Sequence, residues 1–228
     1  MNLNNIQSGV SYGHEVITVY HGSENTIKQP VFGKGFSYND YGCGFYMTED
    51  KGLAGEWAVL ATAKSGYINE YRLDTNDLAV LNLDRVPIEY WIAILMDNRK
   101  GQFAYVVQED IKRFNRKFLV DISRFDIIIG WRADDSYFQY VQDFVSMSLS
   151  IENLQKSMYL GNLGQQVCAK SKRAFERLDF IKAHPAELEK YYQSAIDRDN
   201  DARTAYRELV HSTNSREGTL ISKFIEEI

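Results

Sequence analysis

The sequence predicts a mixed α+β fold, and three observations carry that expectation. Short runs rich in β-branched and aromatic residues recur along the chain, too brief for ordinary helices. Between them lie segments with apolar residues at helical spacing, Leu53 to Ala61 being the clearest. The two kinds do not alternate in the strand–helix–strand rhythm of a doubly wound parallel sheet.

Glu15 to His21 (EVITVYH) reads as the first strand, broken by Gly22. Ser23 to Gly44 holds Pro30, Gly33, Gly35, Asn39, Asp40 and Gly42, and reads as one long irregular loop of the kind that often carries function. Phe45 to Met47 is a short strand. Thr48 is expected to cap a helix that runs to Lys64 and stops at Gly66, with Leu53, Ala54, Trp57, Ala58, Leu60 and Ala61 as its apolar stripe. Tyr67 to Leu73 and Leu78 to Leu83 read as strands, and Ile88 to Asp97 as a helix. The apolar run Phe125 to Gly130 (FDIIIG) predicts a buried strand. Ser136 to Leu149 and Ile151 to Tyr159 read as helices, Gln165 to Ala169 (QQVCA) as the final strand, and Arg173 to Leu178 as a short helix. Beyond Ala183 the texture turns charged and helical, and Pro185 suits the first position of a helix. Two parts are therefore expected: a domain over residues 1–182 and a helical C-terminal extension over 183–228.

The net charge of −5 disfavours a broad basic face for duplex nucleic acid. Cys43 and Cys168 lack partners at metal spacing, as do His14, His184 and His211, so no metal is expected. No apolar stretch approaches the roughly 20 residues that span a bilayer, and Met1 to Tyr20 lacks the pattern of a signal peptide. A cytoplasmic protein is the expectation. Gly33-x-Gly35 does not open a helix and so is not a dinucleotide fingerprint of the doubly wound kind.

Three strings carry candidate chemistry: YHGS (Tyr20 to Ser23), YGCGFYMTED (Tyr41 to Asp50) and QQVCA (Gln165 to Ala169). A His at a strand end followed by Gly lets backbone approach a ligand closely. Gly42-x-Gly44 then delivers Phe45 and Tyr46 to opposite faces of a strand. Trp57 follows Tyr46 by eleven residues, on the next helix. It reads equally well as a core aromatic or as a second wall facing Tyr46 across a slot. Such a slot suits a flat cationic ring, with cation–π attraction worth roughly 0.5–2 kcal/mol per face.

These strings resemble the diphtheria-toxin and poly(ADP-ribose) polymerase branch of the ADP-ribosyltransferases, which uses a His–Tyr–Glu triad. They resemble more closely a family of bacterial domains of unknown function assigned to that fold. The likeness runs in order through His21-Gly22, Gly42 to Thr48, Trp57-Ala58, Asn98-Arg99, Asp126 to Gly130, Ala133 to Asp135 and Gln166-Val167, over roughly residues 16–182. It implies split antiparallel sheets with flanking helices, and NAD as substrate. His21 would bond the adenosine ribose, Gly22 backbone with Ser23 beside it would hold the nicotinamide carboxamide, and Tyr46 would stack on the nicotinamide. Trp57 stands where the toxin branch has a second stacking tyrosine. Gln166, with Gln165 as the alternative, stands at the position of the catalytic Glu.

That last position departs from the pattern. The nicotinamide–ribose bond breaks with oxocarbenium character, and a carboxylate at the ribose stabilises the growing positive charge. Gln bonds the hydroxyl without supplying the charge. Asp134 and Asp135 are alternative carboxylates, although they read better as a turn and helix cap ahead of Ser136 to Leu149. The resemblance implies a mono-ADP-ribosyltransferase acting on an unknown protein or nucleic acid, of the kind found among bacterial toxins and phage-defence factors, with an antitoxin or other neutralising partner. The alternatives are an NAD glycohydrolase, favoured by a closed acceptor face, and a non-catalytic module that binds NAD or ADP-ribose.

Overall fold

The computed structural model describes residues 3–133, 135–160, 164–212 and 214–226. The described chain is a mixed α+β protein with two sheets and eight α-helices. One sheet is three-stranded and antiparallel, ordered β2 (Val16–Ser23), β4 (Gly66–Asp74), β8 (Leu178–Ala186). The other has five strands, ordered β1 (Val10–Tyr12), β5 (Ala79–Asn82), β6 (Ile127–Trp131), β7 (Gln165–Ala169), β3 (Phe45–Met47). Its β5–β6 pair is parallel, which corrects the expectation of antiparallel pairing throughout. The connection between them contains α2 (Ile88–Asn98) and α3 (Gln108–Phe118), long enough to carry the chain back to the same sheet end.

Most predicted strands form near their expected bounds, because β-branched residues alternate or run together there. The helix after β3 is α1 (Lys51–Leu60), and its cap is Asp50 rather than Thr48. Asp50 Oδ1 accepts from the Gly52 and Leu53 N–H groups at 2.7 and 3.1 Å. Thr48 is instead drawn into a bridge with Tyr20, which moves the cap two residues on. The helix also ends short of Lys64, and Gly66 opens β4.

Helix α3 is absent from the sequence expectation although Ile111, Phe114 and Phe118 stand at the i, i+3, i+7 spacing of one helix face, and that face packs on the core. Helices α4 (Asp135–Val145) and α5 (Ile151–Ser157) flank the five-stranded sheet's core, which centres on the fully buried Trp91, Tyr41 and Phe114. Helix α6 (Lys172–Glu176) lies two residues inside the expected end.

Pro185 does not begin a helix. It pairs with Tyr67 within β8, an edge strand where a missing N–H costs little. The expected boundary between residues 182 and 183 falls inside this strand, since Lys182 and Ala183 pair with Glu70 and Asn69. Helix α7 (Leu188–Ser212) begins only afterwards, and at 1.5 Å per residue it spans roughly 37 Å. It packs on the body: Tyr206 stacks on Tyr140 at 3.9 Å and Ala202 is fully buried. Phe224 of α8 (Ile221–Ile225) meets Phe114 and Phe118 edge-on at 5.5 and 5.6 Å. Among the described residues no helix is long and apolar enough to cross a membrane.

Candidate functional site

The two sheets pack on each other through Val19, Tyr71 and Leu73 of one and Met47, Val80, Ile127 and Val167 of the other, and an isolated backbone bridge joins their edges. Tyr20 of β2 and Thr48, just past β3, exchange backbone hydrogen bonds of 2.7 and 2.9 Å. An antiparallel ladder would continue two residues on, pairing Gly22 with Tyr46. It does not. The His21 ring takes the Tyr46 carbonyl instead, with Nδ1 donating at 2.7 Å. The sheets diverge beyond this wedge, and strand alternation turns the Gly22 N–H and C=O to the same edge as Tyr20's, away from β4.

Beyond the split opens a cleft of about 1130 Å³, large enough for a dinucleotide-sized ligand. His21, Tyr46, Trp57 and Gln166 line it, so four of the residues singled out from sequence come together. Gly22 and Ser23 are not on its wall. Gly22 serves helix packing: a Cβ there would lie 1.9 Å from the Ala54 carbonyl oxygen of α1. The strand runs on through Gly22 to Ser23 rather than breaking. The Ser23 hydroxyl is committed, donating to the Asn25 carbonyl at 2.7 Å and accepting from Asn69 Nδ2 at 2.9 Å. It tethers the start of the long loop.

A carbonyl can only accept, so His21 carries its proton on Nδ1. Burial pushes the imidazole pKa down, and the bond to Tyr46 opposes that shift without cancelling it. His21 is thus a neutral ring whose Nε2 is an acceptor. Phe45 packs on it at 4.4 Å between ring centres. Tyr46 is held by its hydroxyl, which donates to the Gly42 carbonyl at 2.6 Å and accepts from the Tyr41 N–H at 3.0 Å. Gly42 reaches this turn with φ of +72°, a conformation that favours glycine. Burial raises the Tyr46 pKa far beyond any physiological range, so the ring acts as a surface and not as an acid or base.

Trp57 lies on the cleft wall with the Arg132 guanidinium 5.0 Å above its ring. One indole face is therefore taken by a cation. Its Nε1 is buried without a hydrogen-bond partner among the described residues.

Gln166 is 3% exposed. Its Nε2 donates to Asp40 Oδ2 at 2.8 Å and to the Trp131 carbonyl at 3.1 Å. The same carbonyl accepts from the Tyr41 hydroxyl at 2.7 Å and from Trp91 Nε1 at 3.1 Å. Gln165, the alternative, is exposed and off the cleft wall. Asp134 lies outside the described residues, and Asp135 opens α4.

Sequence reasoning missed two carboxylates of this cleft. Asp40 comes from the long loop and pairs with Arg99 at 2.6 Å. Glu56, beside Trp57 on α1, pairs with Arg198 of α7 at 2.8 Å. Burial raises the Glu56 pKa, and Arg198 works against that. The glutamate sat within an apolar helical stripe and the aspartate among turn formers, so neither left a local signal. The cleft wall is basic in a chain that is acidic overall. Lys28, Lys34, Arg99, Arg132, Arg198 and Arg203 line it, against Asp40, Glu56 and Asp199. That balance draws an anionic ligand. Among the described residues no cluster of three His, Cys, Asp or Glu is placed to hold a metal ion.

Fold and site together define a mixed α+β protein with one basic cleft set where two sheets part. The family model described as "Protein of unknown function (DUF3990)" matches residues 17–180, and the chain belongs to that family. No curated protein and no solved structure gives a significant match.

Proposed function

We propose that this protein cleaves NAD at the nicotinamide–ribose bond and transfers the ADP-ribose unit, as a mono-ADP-ribosyltransferase. The observation that carries this reading is the convergence on one cleft of His21 and Tyr46, from the facing edge strands of the two sheets, and of Gln166, from the inner strand beside Tyr46's. Their chemistry supports it. His21 Nε2 is an acceptor suited to a ribose hydroxyl. Tyr46 offers a rigid aromatic surface for the nicotinamide. The basic wall suits the diphosphate.

A second reading, NAD glycohydrolase, is favoured by one observation. Ala195, Ile196, Arg198, Asp199 and Arg203 of α7 stand on the cleft wall, so the C-terminal helix occupies space that a macromolecular acceptor would need. Water then becomes the acceptor.

Both readings are tested by incubating the protein with NAD labelled in its adenosine half and with cell extract, then identifying products by mass spectrometry. Label on a macromolecule supports transfer. Label found only as free ADP-ribose supports the hydrolase. Intact NAD refutes both and leaves a non-catalytic binding module, to be tested by calorimetry. A transferase toxin would also have a neutralising protein partner, which co-purification from the native host tests.

A further inference from the structure

Asp40 reads in the sequence as one more turn former of a long loop. In the structure it is 4% exposed, and it lies on the cleft wall beside Gln166. Its placement is over-determined. Oδ2 accepts from the Ala133 N–H at 2.8 Å, and Arg99 stands 2.6 Å from Oδ1. The Asp40 carbonyl accepts from Asn98 Nδ2 at 3.1 Å. A loop residue is thus anchored at its backbone and at both carboxylate oxygens.

We propose that Asp40 is a positioning residue that sets Gln166 as a hydrogen-bond acceptor toward a substrate hydroxyl; this rests on reading the cleft as an NAD-cleaving site. The Gln166 amide faces two groups that have no proton to give, the Asp40 carboxylate and the Trp131 carbonyl. Only its NH₂ can satisfy both, so the amide sits one way round. Oε1 is the polar atom left over. It has no hydrogen-bond partner among the described residues and is not among their sealed, unpartnered atoms. A carboxylate that accepts from an amide N–H also draws electron density toward the amide oxygen, because linked hydrogen bonds polarise one another. Asp40 and Gln166 together present a partly negative acceptor where the resemblance leads one to expect a glutamate.

This arrangement makes Gln166→Glu a poor repair. It would set a second carboxylate 2.8 Å from the first. Two carboxylates so close cannot both ionise, and one keeps its proton to higher pH when folded than when unfolded. The stability of that variant is then fullest at low pH and lost as pH rises through the raised pKa.

The test compares the wild type with Asp40→Asn, Gln166→Ala, Gln166→Glu and the double variant Asp40→Asn/Gln166→Glu. Melting curves without any ligand come first. The expected result is a Gln166→Glu melting deficit that grows from about pH 5 to about pH 8 and is absent from the double variant. A deficit that is flat with pH, or equal in the double variant, overturns the pairing. Nicotinamide release from NAD comes second. Asp40→Asn is expected to lower kcat about 10- to 100-fold with KM little changed, as loss of a charge-assisted contact felt in the transition state does. Wild-type turnover in Asp40→Asn, beside lost turnover in Gln166→Ala, overturns the positioning role. A wild type that neither binds nor cleaves NAD refutes the reading of the cleft and with it the role in turnover, whereas the pH-dependent melting decides the Asp40–Gln166 contact alone.

Discussion

Replacing Gly22 with Ala separates two reasons for a glycine after His21. A ligand-facing glycine would matter only when ligand binds. A packing glycine matters to the empty protein. An added Cβ would lie 1.9 Å from the Ala54 carbonyl oxygen and 2.6 Å from the Ala58 nitrogen, both backbone atoms of α1. Neither can swing aside as a side chain does. Reaching an ordinary carbon–oxygen contact needs the helix to withdraw by about 1.3 Å, which opens the interface it makes through Ala54, Ala58 and Val59 with Ile68 and Ala186. Overpacking of this kind costs about 1–3 kcal/mol, and a backbone clash belongs at the upper end. For a chain of this size each kcal/mol moves the melting temperature by roughly 2–4 °C, so a fall of about 6–12 °C is expected. Thermal unfolding followed by circular dichroism, without NAD, reads it directly. A variant that melts with the wild type would refute the packing argument and return Gly22 to the ligand.

Three further perturbations follow from the structure. Arg198→Ala strips the partner from Glu56, whose side chain is 6% exposed, and should cost about 2–4 kcal/mol at neutral pH. Burial already holds the Glu56 pKa up, so its ionised form loses stability as pH rises, and the variant's deficit in urea unfolding should shrink toward pH 4–5, where the carboxyl takes a proton; a pH-independent deficit counts against this account. Asp84 has its pKa raised to about 6 by burial, and its Oδ1 has no partner among the described residues. A raised carboxyl pKa means stability present at low pH and lost as pH climbs from about 4 to 6, so Asp84→Asn should gain about 1 kcal/mol over the wild type at pH 8 and nothing at pH 4 in the same assay. Tyr46→Phe keeps the ring but orphans the Tyr41 N–H and the Gly42 carbonyl. It should lower the urea midpoint by the equivalent of about 1–3 kcal/mol, and an unchanged midpoint would show that the hydroxyl does not hold the turn.

Much of the site was legible because its strings are local. His21 ends a stretch of β-branched and aromatic residues, Tyr46 follows a glycine turn, and Gln166 is the second residue of a short apolar strand. Residue type and short spacing suffice to place each on a strand near a turn. What they share in space was supplied by resemblance, not by pattern. Strand β8 was missed because its alternation is weak, an edge strand having little to bury on its outer face, and because Pro185 suggests a helix start when its partner strand is out of view. The loop-holding bonds of Ser23 were not legible, because the Asn69 side chain that donates to its hydroxyl stands 46 residues away.

By itself the sequence determined the mixed α+β class and the positions of most strands and helices, and four residues singled out from it, His21, Tyr46, Trp57 and Gln166, stand on the cleft wall. These depend on the spacing of apolar residues and on the few residue types that tolerate tight turns, and both are properties of neighbouring positions. Only the tertiary structure decided where the sheets part, that α7 walls the cleft, and which carboxylates stand in it. Asp40 meets Gln166 across 126 residues of chain, and Arg198 meets Glu56 across 142. No local preference encodes such pairs. They exist because packing closes the chain on itself and brings each buried charge or amide within reach of partners far away in sequence.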